Sequence, residues 1–145
     1  MIIQILAAFL AVVVSSIFLE VPRKLIFRAG FVGALGWAVY LLLLDKFGLI
    51  VSTYIAGLAV STVSHIFSRT CRTPVTVFFI PGFFPLVPGT GIYLAVYYFI
   101  AENGELAQSY LSQTIKVSGM IALSVFTIDT VFNVINKLKN LIPQD

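Results

Sequence analysis

Charge is what this sequence has least of. Asp, Glu, Lys and Arg make up 10% of its 145 residues, against about 25% in an ordinary soluble domain. Nine basic and six acidic side chains cannot cover the outside of a water-soluble globule this size, which excludes a single aqueous domain. Disorder is excluded as well, because it needs low hydrophobicity and high net charge. Cys71 is the only cysteine, so no intrachain disulfide or cysteine-based metal site is possible. His65 is the only histidine, which removes the paired-histidine metal spacings. There is no Gly-x-Ser-x-Gly nucleophile turn, and Asp129 has no second intramembrane carboxylate beside it. Enzymatic, metal and cofactor chemistry are therefore not expected. The net charge of +3 is spread over short flanking clusters with no interleaved aromatic run, which argues contact with anionic lipid and against nucleic acid.

What fills the sequence instead is apolar. Hydrophobic residues make up 59% of the chain, and its mean hydropathy is +1.03. At about 20 residues per helical crossing, this predicts an all-α polytopic membrane protein with about five transmembrane helices in one transmembrane domain over 1–145. The charge clusters divide it into spans at about 2–19, 29–44, 49–68, 75–101 and 114–138, the last closed by Lys137, Lys139 and Pro143. The first run has no basic residue ahead of it and no small-x-small cleavage pattern, so it reads as a permanent helix and not a signal peptide. Arg23, Lys24, Arg28, Arg69, Arg72, Lys137 and Lys139 fall at alternate junctions, and only Lys46 and Lys116 fall at the others. By the positive-inside rule the amino terminus lies outside and the carboxyl terminus in the cytoplasm.

The fourth span carries its own interruption. Pro81, Gly82, Pro85, Pro88, Gly89 and Gly91 fall within eleven residues of an apolar run. Proline removes an amide donor and clashes with the carbonyl one turn back, and lipid-exposed backbone cannot be left unsatisfied. The segment is therefore expected to be re-entrant or a discontinuous helix lining protein or a water-filled cavity, as in many secondary transporters. Gly89, Thr90 and Gly91 would open a second half-helix over Ile92 to Ala101, with free amides and the positive dipole end turned toward an anion. The plain alternative is a kink that only lets neighbouring helices pack.

Pro74 and the stretch Ile80-Pro81-Gly82-Phe83-Phe84-Pro85-Leu86-Val87-Pro88-Gly89, followed by Tyr93, resemble the signature of the threonine/serine exporter family, in its small membrane subunit or carboxyl-terminal half. The resemblance implies ion-coupled export of small hydroxy-amino acids, and in two-component members of a dicarboxylate such as succinate, across a cell inner membrane. It implies a second subunit with a hydrophilic domain and five spans of its own. It also implies that Pro81, Gly82, Pro85, Pro88, Gly89 and Tyr93 are site residues; Thr90 and Gly91 join them on the half-helix argument. A partner is expected independently, because an odd-span unit repeated in one chain would be inverted and would place a site at the interface between repeats.

The polar residues within the spans are few. Gly57, Ser61, His65 and Ser68 share one face of span three. Gly57 and Ser61 read as helix packing, as does Gly33 on the Ala29, Gly33, Trp37 face of span two. His65 either relays protons or reaches water from one turn inside the cytoplasmic end. Asp129 shares a face with Asn133 and Asn136 and is costly inside a bilayer. It carries a proton, binds a substrate ammonium, or pairs across a partner interface, with Arg69 and His65 the nearest candidates for counter-charge. A membrane scaffold that docks through its small-residue faces remains the competing function.

Overall fold

The structure, a computed structural model, describes residues 1–141, with side chains to 138. Pro143 and the side chain of Lys139, invoked above to close the last span, lie outside the described residues. The chain forms helices α1 (Ile2–Phe18), α2 (Ile26–Cys71), α3 (Thr76–Phe83), a 3-10 turn (Phe84–Leu86), α4 (Gly89–Ile100) and α5 (Gly104–Leu141), and no strand occurs among the described residues. By length and composition α2 and α5 can each cross a membrane, and α3 with α4, bent by 48°, passes the same test as a broken span or a re-entrant loop. Helix α1 is apolar but shorter.

At 46 residues an unbroken α2 would run about 69 Å, more than twice a hydrocarbon core. It is not straight. Gly48 sits at φ 71°, ψ 175°, a region open essentially to glycine alone, and the chain folds back there. Arg28 meets Cys71, the Phe31 and Phe67 rings lie 6.3 Å apart, and the Gly36 backbone abuts the Val60 side chain. The residue numbers converge on the bend from both sides, so arms 26–47 and 49–71 form an antiparallel hairpin. The arms cover residues 29–44 and 49–68, expected above as separate spans, and the interval between them is helical except at Gly48.

The charged junctions close the other helices. Glu20, Arg72 and Glu102 each take a left-handed conformation, at φ 54°, 51° and 58°. The following amides, of Val21, Thr73 and Asn103, turn back to the carbonyls of Ser16, Ser68 and Tyr98. This 6→1 closure satisfies carbonyls that would otherwise be orphaned at a helix end. At the start of α5 the Asn103 side chain caps the Leu106 amide at 3.3 Å, with Glu105 in the first turn. Hence α5 begins at Gly104, ten residues before the expected boundary of the fifth span.

The core is the seam where both arms of α2, α3 and the 3-10 turn meet, built on Val32, Ala56, Val60, Phe78, Phe83 and Leu86. Phe78, fully buried, packs its ring edge-on to Phe67 at 5.6 Å. Helices approach closely where side chains are small. Gly33 receives Val12 of α1, and Gly57 receives Ser124 of α5 with Phe83 beyond it. Ser61 is fully buried in the same arm.

Candidate functional site

The Pro/Gly segment interrupts the helix in the manner its composition requires. Helix α3 runs through Pro81 and gives way at Phe84 to the 3-10 turn. Val87 is extended (φ −63°, ψ 129°), and Pro88 precedes the first turn of α4. The Gly89 amide bonds back to the Val87 carbonyl at 2.8 Å, and Ile92 is the first amide of the new helix to find a carbonyl within its own turn, Pro88 at 3.1 Å. No side chain caps α4, so the Thr90 and Gly91 amides stay unpaired, as expected of helix positions two and three. The second half-helix starts at Gly89, three residues ahead of the expected Ile92.

A cavity of about 320 Å³ opens against this break. Its floor is Pro85 to Gly91, the hairpin supplies Trp37, Tyr40 and Thr53, and α5 supplies Tyr110, Gln113 and Thr114. The Trp37 and Tyr40 rings stack at 5.0 Å, and Tyr110 stacks on Tyr98 of α4 at 5.6 Å. Thr53 spends its hydroxyl on the Leu49 carbonyl at 2.7 Å. Thr114 does not: its side chain is buried, its Oγ1 has no hydrogen-bond partner, and that oxygen stands where a Cβ on Gly91 would go. The wall carries no charged side chain. It offers hydroxyls, a carboxamide, aromatic faces and the free amides of α4, a set that binds a small polar molecule by hydrogen bonds and dipole.

The expected site residues divide. Pro85, Pro88, Gly89, Thr90 and Gly91 line the cavity. Pro81 and Gly82 are buried in the packing instead, with Gly82 pressed on Val32 and Val60. Tyr93 is 65% exposed and stacks on Tyr97 at 6.2 Å, on the outer face of α4. Tyr110, Gln113 and Thr114 were not singled out from the sequence. Their signal was there in the spacing of Tyr110, Gln113, Thr114 and Val117, one helical face once Asn103 is read as a cap.

A second polar cluster lies toward the other end of the same arm. His65 and Asp129 meet at 2.6 Å between Nε2 and Oδ1, joining α2 to α5. The His65 ring lies flat on Phe132, centroids 4.4 Å apart. The Arg69 guanidinium sits 4.7 Å from the same ring and donates to Asn136 Oδ1 at 2.7 Å. Twelve residues separate Thr53 from His65, about 18 Å along a helix, so Asp129 does not line the cavity. Among the described residues no group of three or more His, Cys, Asp or Glu gathers as a metal site would require.

Compared with known proteins, the chain matches a family model described as Threonine/Serine exporter, ThrE, over residues 4–131. No curated protein and no solved structure matches it.

Proposed function

The chain belongs to the threonine/serine exporter family, and from that premise we propose that it is the membrane-embedded half of a secondary exporter for small polar metabolites of the serine and threonine type. The observation that carries the proposal is the cavity at the break between α3 and α4. Unpaired backbone within an apolar span is costly unless it faces protein or a wet compartment, and here it faces a compartment walled by hydroxyls and aromatic rings. A scaffold that only docks has no use for such a break.

In this reading α1, the two arms of α2, the bent α3–α4 pair and α5 cross an inner membrane five times. The 49–71 arm runs parallel to α5, with Gly57 at Ser124, His65 at Asp129 and Arg69 at Asn136, which supports this reading. The amino terminus is outside and the carboxyl terminus cytoplasmic, so Cys71 faces the cytoplasm. A second, homologous subunit with a hydrophilic domain completes the transport path, with the site at the interface of the two units. The role is transport and not catalysis. The His65–Asp129 pair, a histidine and a carboxylate in contact between α2 and α5, couples export to a proton gradient.

The test is efflux of labelled serine, threonine and succinate from cells with and without this chain, alone and with a candidate partner subunit. Serine and threonine efflux that needs both subunits is the expected result. Efflux from this chain alone would contradict the half-transporter reading, and succinate efflux without serine efflux would replace the substrate. A membrane-impermeant thiol reagent should label Cys71 only once the membrane is opened, and labelling of intact cells would reverse the orientation.

A further inference from the structure

We infer that the first turn of α4 together with the Thr114 hydroxyl of α5 is the carboxylate-binding end of the cavity, and that its ligand is a zwitterion with a single carboxylate. The inference rests on the exporter reading and deepens it, by naming which atoms select the substrate.

Two independent features meet at one place. The Thr90 and Gly91 amides have no acceptor, and they lie at the positive end of the α4 dipole, where an anion is favoured. The Thr114 side chain is 7% exposed, and its hydroxyl has no partner. Thr53 and Thr62 of this chain spend their hydroxyls on a carbonyl one turn earlier, while Thr114, like Ser52, Ser61 and Ser64, does not. Thr114 instead places its oxygen over the Gly91 Cα, at the turn whose amides are free. An unpaired buried donor carries a desolvation cost, and a carboxylate accepting from Thr114 Oγ1 removes it while also meeting the two free amides. Glycine at position 91 is what admits the hydroxyl, since a Cβ there would collide with it.

The charge of the lining sets the rest of the ligand. No Lys, Arg or His of this chain lines the cavity, so on this wall a second carboxylate finds no counter-charge to offset its desolvation. An ammonium fares better, because the stacked Trp37 and Tyr40 rings form part of the wall and aromatic faces attract cations. A carboxylate at α4 and an ammonium toward the aromatic wall describe a small amino acid, not a dicarboxylate.

The experiment uses the complete exporter, this chain with its partner subunit, in proteoliposomes loaded with labelled serine, with unlabelled serine, serinamide and succinate as competitors. Serinamide, whose carboxylate is replaced by a neutral amide, and succinate should each compete at least about tenfold more weakly than serine, the size of one hydrogen bond to a charged group. Thr114→Val, which keeps the shape and removes the donor, should raise the half-saturating serine concentration about tenfold and narrow the gap between serine and serinamide. Thr114→Ser should restore both. Because the valine variant removes an unsatisfied hydroxyl, its thermal stability should not fall, which separates a ligand role from a structural one. Unchanged half-saturation in Thr114→Val, or equal weakening of serine and serinamide, overturns the assignment. Succinate competing as well as serine overturns the single-carboxylate ligand, and a complete exporter that moves no serine overturns the exporter reading beneath both.

Discussion

Replacing Gly57 by alanine tests the helix crossing that fastens α5 to the hairpin. A Cβ at position 57 would stand 2.8 Å from the Ser124 Cβ, closer still to its hydroxyl, and 3.4 Å from the Phe83 ring. Ser124 is fully buried, so it has nowhere to retreat, and the helices must separate. Overpacking of this kind costs about 1–3 kcal/mol. Alanine also returns about 1 kcal/mol of helix propensity over glycine, and a control isolates the contact from that gain. Gly119 of α5 has nothing within 4 Å of an added Cβ, so Gly119→Ala collects the propensity alone. The two variants should therefore differ by about 1–3 kcal/mol, read as a gap of roughly 3–9 °C in thermal unfolding in lipid nanodiscs. Moving the volume across the interface, in Gly57→Ala with Ser124→Gly, should recover most of the loss. The Ser124 hydroxyl bonds only to the Ile121 carbonyl of its own helix, so its removal strands no group elsewhere. Equal unfolding temperatures for Gly57→Ala and Gly119→Ala would refute the crossing, as would a double variant no better than Gly57→Ala.

Gly48→Ala forces a Cβ into a backbone region that disfavours it and should cost about 1–3 kcal/mol by loosening the hairpin tip; circular dichroism should show the thermal transition shifted downward with helix content unchanged at low temperature. Asp129→Asn keeps an acceptor for His65 while removing the charge. Asp129 is half exposed, so its stability should change by no more than about 1 kcal/mol, while efflux driven by an imposed pH gradient should drop at least about tenfold, the yardstick being 1.4 kcal/mol of lost coupling; full pH-driven efflux in that variant would remove the pair from the coupling mechanism.

Much of this arrangement is legible in the residues. Clustered charges in an apolar chain mark where helices end, and Glu20, Arg72 and Glu102 stand at helix ends in the structure. Three prolines cannot pass through a continuous helix, and the break runs from Phe84 to Pro88. Other features are hidden for physical reasons. The polar residues from Glu105 to Gln113 look like a loop by hydropathy, yet Asn103 caps them into a helix that places Tyr110, Gln113 and Thr114 on the cavity wall. Helical register is lost across a run of prolines, so a motif spanning Pro81 to Tyr93 does not reveal that its first two residues face the core and its last faces outward. The meeting of His65 with Asp129, 64 residues apart, depends on how α5 docks, although their shared depth in the bilayer already made each a candidate partner for the other.

The central claim is that substrate occupies the cavity beneath the broken helix, and cysteine protection tests it most directly. In a Cys71→Ser background, Thr90→Cys places a thiol on the cavity wall, while Gly104→Cys places one at the far turn where nothing crowds it. Both are titrated with a small methanethiosulfonate in the complete exporter, with and without saturating serine. Serine should slow labelling at position 90 several-fold and leave position 104 unchanged. Equal labelling of position 90 with and without serine, in protein that still exports it, would place the substrate elsewhere.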